Sequence, residues 1–231
     1  MTGTLYGLGV GPGDPELLTL KAARLLASVP VVAFPEPMSG DSLARRIAKP
    51  HFRPGIEEIP LRMSCDPAQR DDDGYDQGAS IVAGHLEAGR DVAVLCEGDP
   101  FFYGSFAYLF ARLGGRFPVS VVPGVASVMA CSAALDHPLT ARDDALVVIP
   151  APRPEADIER LLEAAEAAAI MKIGRHLPKV VGVLNRLGLA DCARYIERAA
   201  QPGQRILAIG EVERAPYFSM ILVHKRGKAW M

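Results

Sequence analysis

The 231-residue chain sets 25 Lys and Arg against 27 Asp and Glu, a formal net charge of -2 at pH 7. That balance excludes a general nucleic-acid binder held by bulk positive charge, while leaving room for local basic clusters. Hydrophobic residues make up 49%, a globular composition on a chain long enough for one large domain or two small ones, with a core that needs no staple.

Short apolar segments alternate with amphipathic ones nearly throughout, the signature of parallel α/β architecture. Residues 4–10 read as a first strand. Asp14 and Pro15 then have the chemistry of a helix N-cap and first helical residue, and Leu17, Leu18, Ala22, Leu25 and Leu26 follow at helical spacing. Residues 30–34 form a second strand, Asp41 caps a short helix that Pro50 stops, and 56–61 form a third strand. Residues 81–86 lie in a helix that Gly89 ends.

Residues 91–95 make a short apolar strand running into Glu97-Gly98-Asp99-Pro100, with a helix over 101–113. The strand 119–122 meets Pro123-Gly124, and 125–134 is a small-residue helix. Beyond it, 145–149, 170–173, 205–209 and 217–224 read as strands, and 155–168 and 180–187 as helices. The chain is divided near Val122 into two α/β domains, 1–122 and 123–231, with mostly parallel or mixed sheets. Segment 63–77, with Asp71-Asp72-Asp73-Gly74, fits no motif and is read as a mobile loop.

The run Gly7-Leu8-Gly9-Val10-Gly11-Pro12-Gly13 invites a dinucleotide-binding reading, which fails. The G-x-G-x-x-G fingerprint is broken by Pro12 three residues after Gly9 and by Asp14 three after Gly11. Pro12 also removes an N–H from any pyrophosphate cradle. More informative is Gly-Asp-Pro, which occurs twice, at 13–15 and 98–100, each time between a strand and a helix. For Asp14 helix-start chemistry and a role in the site weigh about equally. Asp99 is followed by Phe101-Phe102-Tyr103-Gly104 at the carboxyl end of a buried strand, where open α/β sheets bind ligands and aromatic rings offer a flat apolar wall. Pro123-Gly124-Val125-Ala126-Ser127 is a second turn of this kind.

The four cysteines, at 65, 96, 131 and 192, have no CxxC spacing, and the five histidines no metal spacing. No metal site or disulfide framework is expected, which fits a reducing cytosol. Cys96 is read as buried packing. No apolar run approaches the roughly 18 residues of a membrane span, and Met1-Thr2-Gly3-Thr4 carries no basic start of a secretory signal. Neither a membrane nor a nucleic acid is expected as a partner, and the expected location is cytoplasmic. Basic residues gather at Arg45, Arg46, Lys49 and Arg53, and again at Lys172, Arg175 and His176. On one cleft they would suit a substrate with several carboxylates.

Taken together, these segments resemble the tetrapyrrole (corrin/porphyrin) methylase family. The carrying motifs are GLGVGPGDPELLTL (7–20), LCEGDPFFYGSF (95–106), VPGVAS (122–127), AIMKIGRHL (169–177) and APYFSMILV (215–223), in order from about residue 3 to about 225. The resemblance implies two α/β domains with a cleft between them, a homodimer, and S-adenosylmethionine as methyl donor. Cys96 to Phe106, Ile170 to His176 and Pro216 to Ser219 are most similar to the members that methylate the C20 bridge carbon of precorrin-2 in cobalamin biosynthesis.

Carried over position by position, the resemblance implies donor contacts at Val10, Gly98, Asp99, Phe102, Ala126, Ser127, Met171, Pro216 and Tyr217. Relatives often have Ser or Thr where Ala126 stands, so no side-chain hydrogen bond is expected there. Arg45, Arg46, Lys172, Arg175 and His176 are candidate contacts for the substrate carboxylates. Methyl transfer needs positioning more than a reactive side chain, so no catalytic residue is assigned; Tyr103, Asp14 and Glu97 are weak candidates for a base that removes the C20 proton. The alternatives are the same chemistry on cobalt-loaded precorrin-2, on uroporphyrinogen III or on a later precorrin, a nucleotide-binding oxidoreductase built on the first glycine turn, and a non-catalytic tetrapyrrole carrier.

Overall fold

A computed structural model describes residues 1–37, 41–62 and 72–227. The chain divides into two compact units, Met1–Ala126 and Ser127–Met231, each built on its own five-stranded sheet. The division falls past the Val122 expected from sequence. The loop after that strand stays with the first unit, where the Gly124 N–H donates to Asp99 Oδ2 at 3.1 Å.

The first unit runs β1 (Leu5–Gly9), α1 (Leu20–Leu26), β2 (Val31–Glu36), α2 (Leu43–Ala48), β3 (Glu57–Arg62), α3 (Asp72–Glu87), β4 (Val92–Cys96), α4 (Phe106–Leu113) and β5 (Val119–Val122). The strands lie in the order β3-β2-β4-β1-β5 and all pair in parallel. Every residue of the central β4 is buried, as expected of a parallel strand covered on both faces. Val82, Leu86, Phe106 and Leu109 of α3 and α4 pack on one face; Ala22, Leu26, Ala44 and Ile47 of α1 and α2 pack on the other. A Cβ at Gly7 would stand 2.4 Å from the Phe106 ring, so bare backbone in β1 makes room for a fully buried phenyl group.

The second unit runs α5 (Ser127–Ala134), β6 (Leu146–Pro150), α6 (Glu155–Ala164), β7 (Ala167–Met171), α7 (Leu177–Arg186), β8 (Ala193–Glu197), β9 (Arg205–Leu207) and β10 (Ser219–His224). Its sheet order is β6-β7-β10-β8-β9. Strands β6 and β7 are parallel and the other pairs antiparallel, so this sheet is mixed. Ile158, Leu162, Val180 and Leu184 of α6 and α7 cover one face; Val128 and Cys131 of α5 cover part of the other.

Several elements depart from the sequence expectation. The first helix is split into a single 3-10 turn, Pro15–Leu17, and α1, because Thr19 starts a new helix by accepting the Ala22 N–H at 3.2 Å. Ser42, not Asp41, caps α2, accepting from Arg45 N. Residues 72–77 are the first turns of α3 and not a mobile loop; 63–71 lie outside the described residues. The helix expected over 101–113 begins at Phe106, since 100–104 are folded into turns. The helix expected to reach Ala168 ends at Ala164, and Ala167-Ala168-Ala169 form a buried strand. Their helix preference is overridden by pairing with β6 and β10. Strand β8 had no counterpart in the sequence reading.

Candidate functional site

In the first sheet β1 and β4 are neighbours, yet β1 leads to α1 on one face and β4 to α4 on the other. Loops diverge at such a point, and the carboxyl ends of the strands are where open parallel sheets take ligands. Three loops meet there: residues 10–15 after β1, 97–105 after β4 and 123–126 after β5.

Backbone contacts knit them together. Val10 N donates to Cys96 O at 3.0 Å, Gly98 N to Gly11 O at 2.8 Å, and Gly11 N to Gly98 O at 3.3 Å. Gly9 and Gly124 permit the close approach. A Cβ on Gly9 would stand 2.5 Å from Gly124 N, and one on Gly124 would stand 2.1 Å from Gly98 O, distances no side chain tolerates.

Asp99 sits at the centre of this knot. Its Oδ1 accepts the Phe101 N–H at 2.9 Å and its Oδ2 the Gly124 N–H at 3.1 Å, so one carboxylate joins the loops after β4 and β5. Its main-chain oxygen accepts from Phe102 N at 3.3 Å. Turned outward, Phe101, Phe102 and Tyr103 are 52%, 37% and 48% exposed. Phe102 and Tyr103 meet edge to face, with centroids 5.1 Å apart, and Tyr103 has a φ of 57°, an uncommon conformation for a bulky side chain.

Each candidate has a definite place. Val10 is wholly buried, its side chain in the cluster under α1 and α2 and its N–H bonded to Cys96 O. Asp14 caps the 3-10 turn, its Oδ1 accepting Glu16 N–H at 2.9 Å, which is the helix-start role. Glu97 Oε1 accepts the Ala44 N–H of α2 at 3.2 Å, and burial pushes its carboxyl above the ordinary glutamate range. Burial likewise pushes the Cys96 thiol up to about 11, which makes it packing and not a nucleophile. Ala126 closes the first unit.

Arg45 has partners within the first unit. Its guanidinium forks onto the Glu58 carboxylate, with Nη2–Oε1 at 3.2 Å, and lies 5.7 Å over the Phe34 ring. Its charge is thus held within the first unit by β2 and β3. Arg46, the next residue, is exposed.

In the second unit, the register pairs Met171 with both Pro150 and Met220. This puts the carboxyl ends of β6 and β7 and the start of β10 on one edge. Met171, Lys172, Pro216 and Tyr217 cluster at that edge. Tyr217 is 54% exposed, with Phe218, which the sequence reading passed over, edge to face at 5.0 Å. Lys172 has a φ of 57°, Arg175 is exposed, and His176 is half-buried. Burial, then the charges of Lys179 and Arg175, hold the His176 imidazole below the ordinary range, so it is neutral at pH 7. Ser127 opens α5.

The signal missed in sequence was the pairing of Gly9 with Gly124. Each was read within its own turn, and nothing local showed that the two turns touch.

The loops after β1, β4 and β5 carry Asp14, Glu97 and Asp99 and no Lys, Arg or His. A phosphate-bearing ligand wants cations or clustered N–H donors, and here Gly98, Gly11 and Gly124 spend theirs on one another and on Asp99. With acidic and exposed aromatic side chains, these loops favour a cationic ligand over an anionic one. Among the described residues no group of three His, Cys, Asp or Glu could hold a metal ion, and no helix is long and apolar enough to cross a membrane.

The family described as Tetrapyrrole (Corrin/Porphyrin) Methylases matches residues 4–215. The chain is 41% identical to a precorrin-2 C(20)-methyltransferase of a Sinorhizobium species, over 96% of this chain and 95% of that one. It is 32% identical to a cobalt-precorrin-2 C(20)-methyltransferase of Salmonella typhimurium over 98% of both. Against the cobalamin biosynthesis protein CobIJ of Mycobacterium tuberculosis identity is 44% over 96% of this chain, which spans only 46% of that relative. Among solved structures, uroporphyrin-III C-methyl transferase from Thermus thermophilus, complexed with S-adenyl homocysteine, superposes with a TM-score of 0.71 at 26% identity. That match covers 96% of this chain and 92% of the other.

Proposed function

The chain belongs to the tetrapyrrole (corrin/porphyrin) methylases, and from that membership we propose that it transfers a methyl group from S-adenosylmethionine to C20 of precorrin-2, giving precorrin-3A in cobalamin biosynthesis. The observation that carries this reading is the end-to-end likeness to a precorrin-2 C(20)-methyltransferase, 41% identical over nearly the whole of both chains.

The loop knot of the first unit supports the donor assignment. A sulfonium donor brings its own leaving group, so the protein has to bind and aim it and need not supply a nucleophile. The glycine-walled backbone with Gly98 and Asp99, the Phe102 ring and the loop ending at Ala126 form the first unit's share of the donor site. The other donor positions implied by the family resemblance, Ser127, Met171, Pro216 and Tyr217, belong to the second unit. Asp14 and Asp99, in loops that contain no Lys, Arg or His, favour a positive sulfonium over the pyrophosphate of a nicotinamide dinucleotide.

Arg46, Lys172 and Arg175 are the residues that meet substrate carboxylates by charge-assisted hydrogen bonds. Neutral His176 serves as a polar contact. Arg45 acts at most through its exposed edge, since Glu58 occupies its fork. The reading includes a cytoplasmic homodimer, which light scattering on the purified chain tests.

The Salmonella relative favours a second reading, the same transfer to the cobalt-loaded substrate. Incubation with labelled-methyl donor and either metal-free or cobalt-loaded precorrin-2, with the label located by mass and carbon NMR, decides between them. One labelled methyl at C20 of the metal-free compound is the expected result. Transfer only to the cobalt form selects the second reading, and transfer to neither overturns both.

A further inference from the structure

We propose that Asp99 is a positioning residue of the donor site: its carboxylate sets the loop after β5 against the loop after β4 and does not itself contact the donor. The inference rests on the donor-site reading above.

The geometry is specific. Each carboxylate oxygen already accepts a main-chain N–H, Oδ1 from Phe101 at 2.9 Å and Oδ2 from Gly124 at 3.1 Å. The second bond spans 25 residues of sequence and crosses from one strand's loop to another's. Gly124 is seated where a Cβ would meet Gly98 O at 2.1 Å, so sterics fix how near the two loops come. They do not fix how the second loop is turned about that contact. The Asp99–Gly124 bond supplies that orientation, and charged acceptors make such bonds about twice as strong as neutral ones. Oδ1 and Oδ2 are thus both engaged by main-chain donors, one in each loop.

A direct contact would work differently. A carboxylate beside an adenosine group ordinarily accepts from the ribose hydroxyls, as acidic residues do in dinucleotide sites. The two roles are separable by removing those hydroxyls.

The test uses the full chain and measures the Kd of S-adenosylhomocysteine and of its 2′-deoxy and 3′-deoxy analogues for wild type, D99A and D99N. Amide exchange at Gly124 is followed in the absence of any ligand. D99A is expected to weaken all three ligands by the same factor, tenfold or more. It is also expected to raise exchange at Gly124 and to leave KM for the tetrapyrrole within twofold. D99N keeps one acceptor oxygen for two N–H donors, so it is expected to fall near D99A and not near wild type; it also serves if D99A does not fold. A D99A loss that disappears on either deoxy analogue, or unchanged exchange at Gly124 in both variants, overturns the positioning role while leaving the donor site standing. Wild type that binds no S-adenosylhomocysteine overturns the donor-site reading, and the inference with it.

Discussion

The carboxyl of Glu97, just past the end of β4, accepts the N–H of Ala44 in the first turn of α2 at 3.2 Å across 53 residues of sequence. Ser42 satisfies Arg45 N in the same turn, so two of the helix's otherwise unpaired N–H groups are met by side chains. Glu97 thus ties the helix bearing Arg45 and Arg46 to the strand end that carries the loop knot.

Replacing Glu97 by Ala leaves the Ala44 N–H without its acceptor, and the expected loss is about 1–3 kcal/mol in urea unfolding. Gln retains an acceptor oxygen and should lose less. The pH dependence has a definite sign. Burial raises the folded-state pKa above the ordinary 4.5, so between the two values the folded chain holds more protons than the unfolded one, and stability falls as pH rises through that window. E97Q removes this slope. The stability of E97Q relative to wild type should therefore climb as pH rises from about 4 and level off above the raised pKa. A difference that is flat across that range would refute the assignment.

Gly124→Ala forces a methyl group to within 2.1 Å of Gly98 O, which backbone cannot relieve without moving the loop. Overpacking of this kind costs about 1–3 kcal/mol, and a greater loss is expected in S-adenosylhomocysteine affinity, read by calorimetry. Gly115→Ala, where a Cβ would meet nothing within 4 Å, is the matched control and should bind as wild type does.

Arg175→Ala should raise KM for the tetrapyrrole about tenfold, in line with one charge-assisted hydrogen bond, with the donor Kd unchanged. Arg45→Ala should raise KM less, because its fork is filled by Glu58, and should instead lower the melting temperature. Equal loss of donor and substrate affinity in R175A would remove it from the substrate contacts.

Asp144 is held below the ordinary aspartate range by the Ala141 N–H, by His224 and by Arg226. A depressed folded pKa means stability that is present above the unfolded value of about 3.8 and is lost as pH falls through the folded one. Asp144→Asn is expected to lower the melting temperature at pH 7, and the deficit to shrink progressively as pH falls below about 3.8. A deficit that stays constant as pH falls from about 5 through 3 and lower would show that charge is not its cause.

The local pattern of the chain determined a good deal. Apolar runs such as 91–95 could be satisfied only as strands buried on both faces, and Asp14-Pro15 could be read as a helix start, because those outcomes depend on a few neighbouring residues. The motifs at 95–106 and 122–127 marked the strand-end loops for the same reason. Composition and periodicity had less hold on Ala167-Ala168-Ala169, whose helix preference gave way to hydrogen bonds from β6 and β10, and on β8, which exists through pairing with β9 and β10.

The chemistry of the site was decided later still. Sequence made Asp99 a candidate donor contact and Arg45 a candidate substrate contact, but only the fold gives their protein partners, Gly124 for Asp99 and Glu58 for Arg45. A side chain's partner is set by which atoms the topology brings within about 3 Å of it, and residues 25 or 13 positions away along the chain become neighbours only when the fold brings together the loops, helix and strand that carry them.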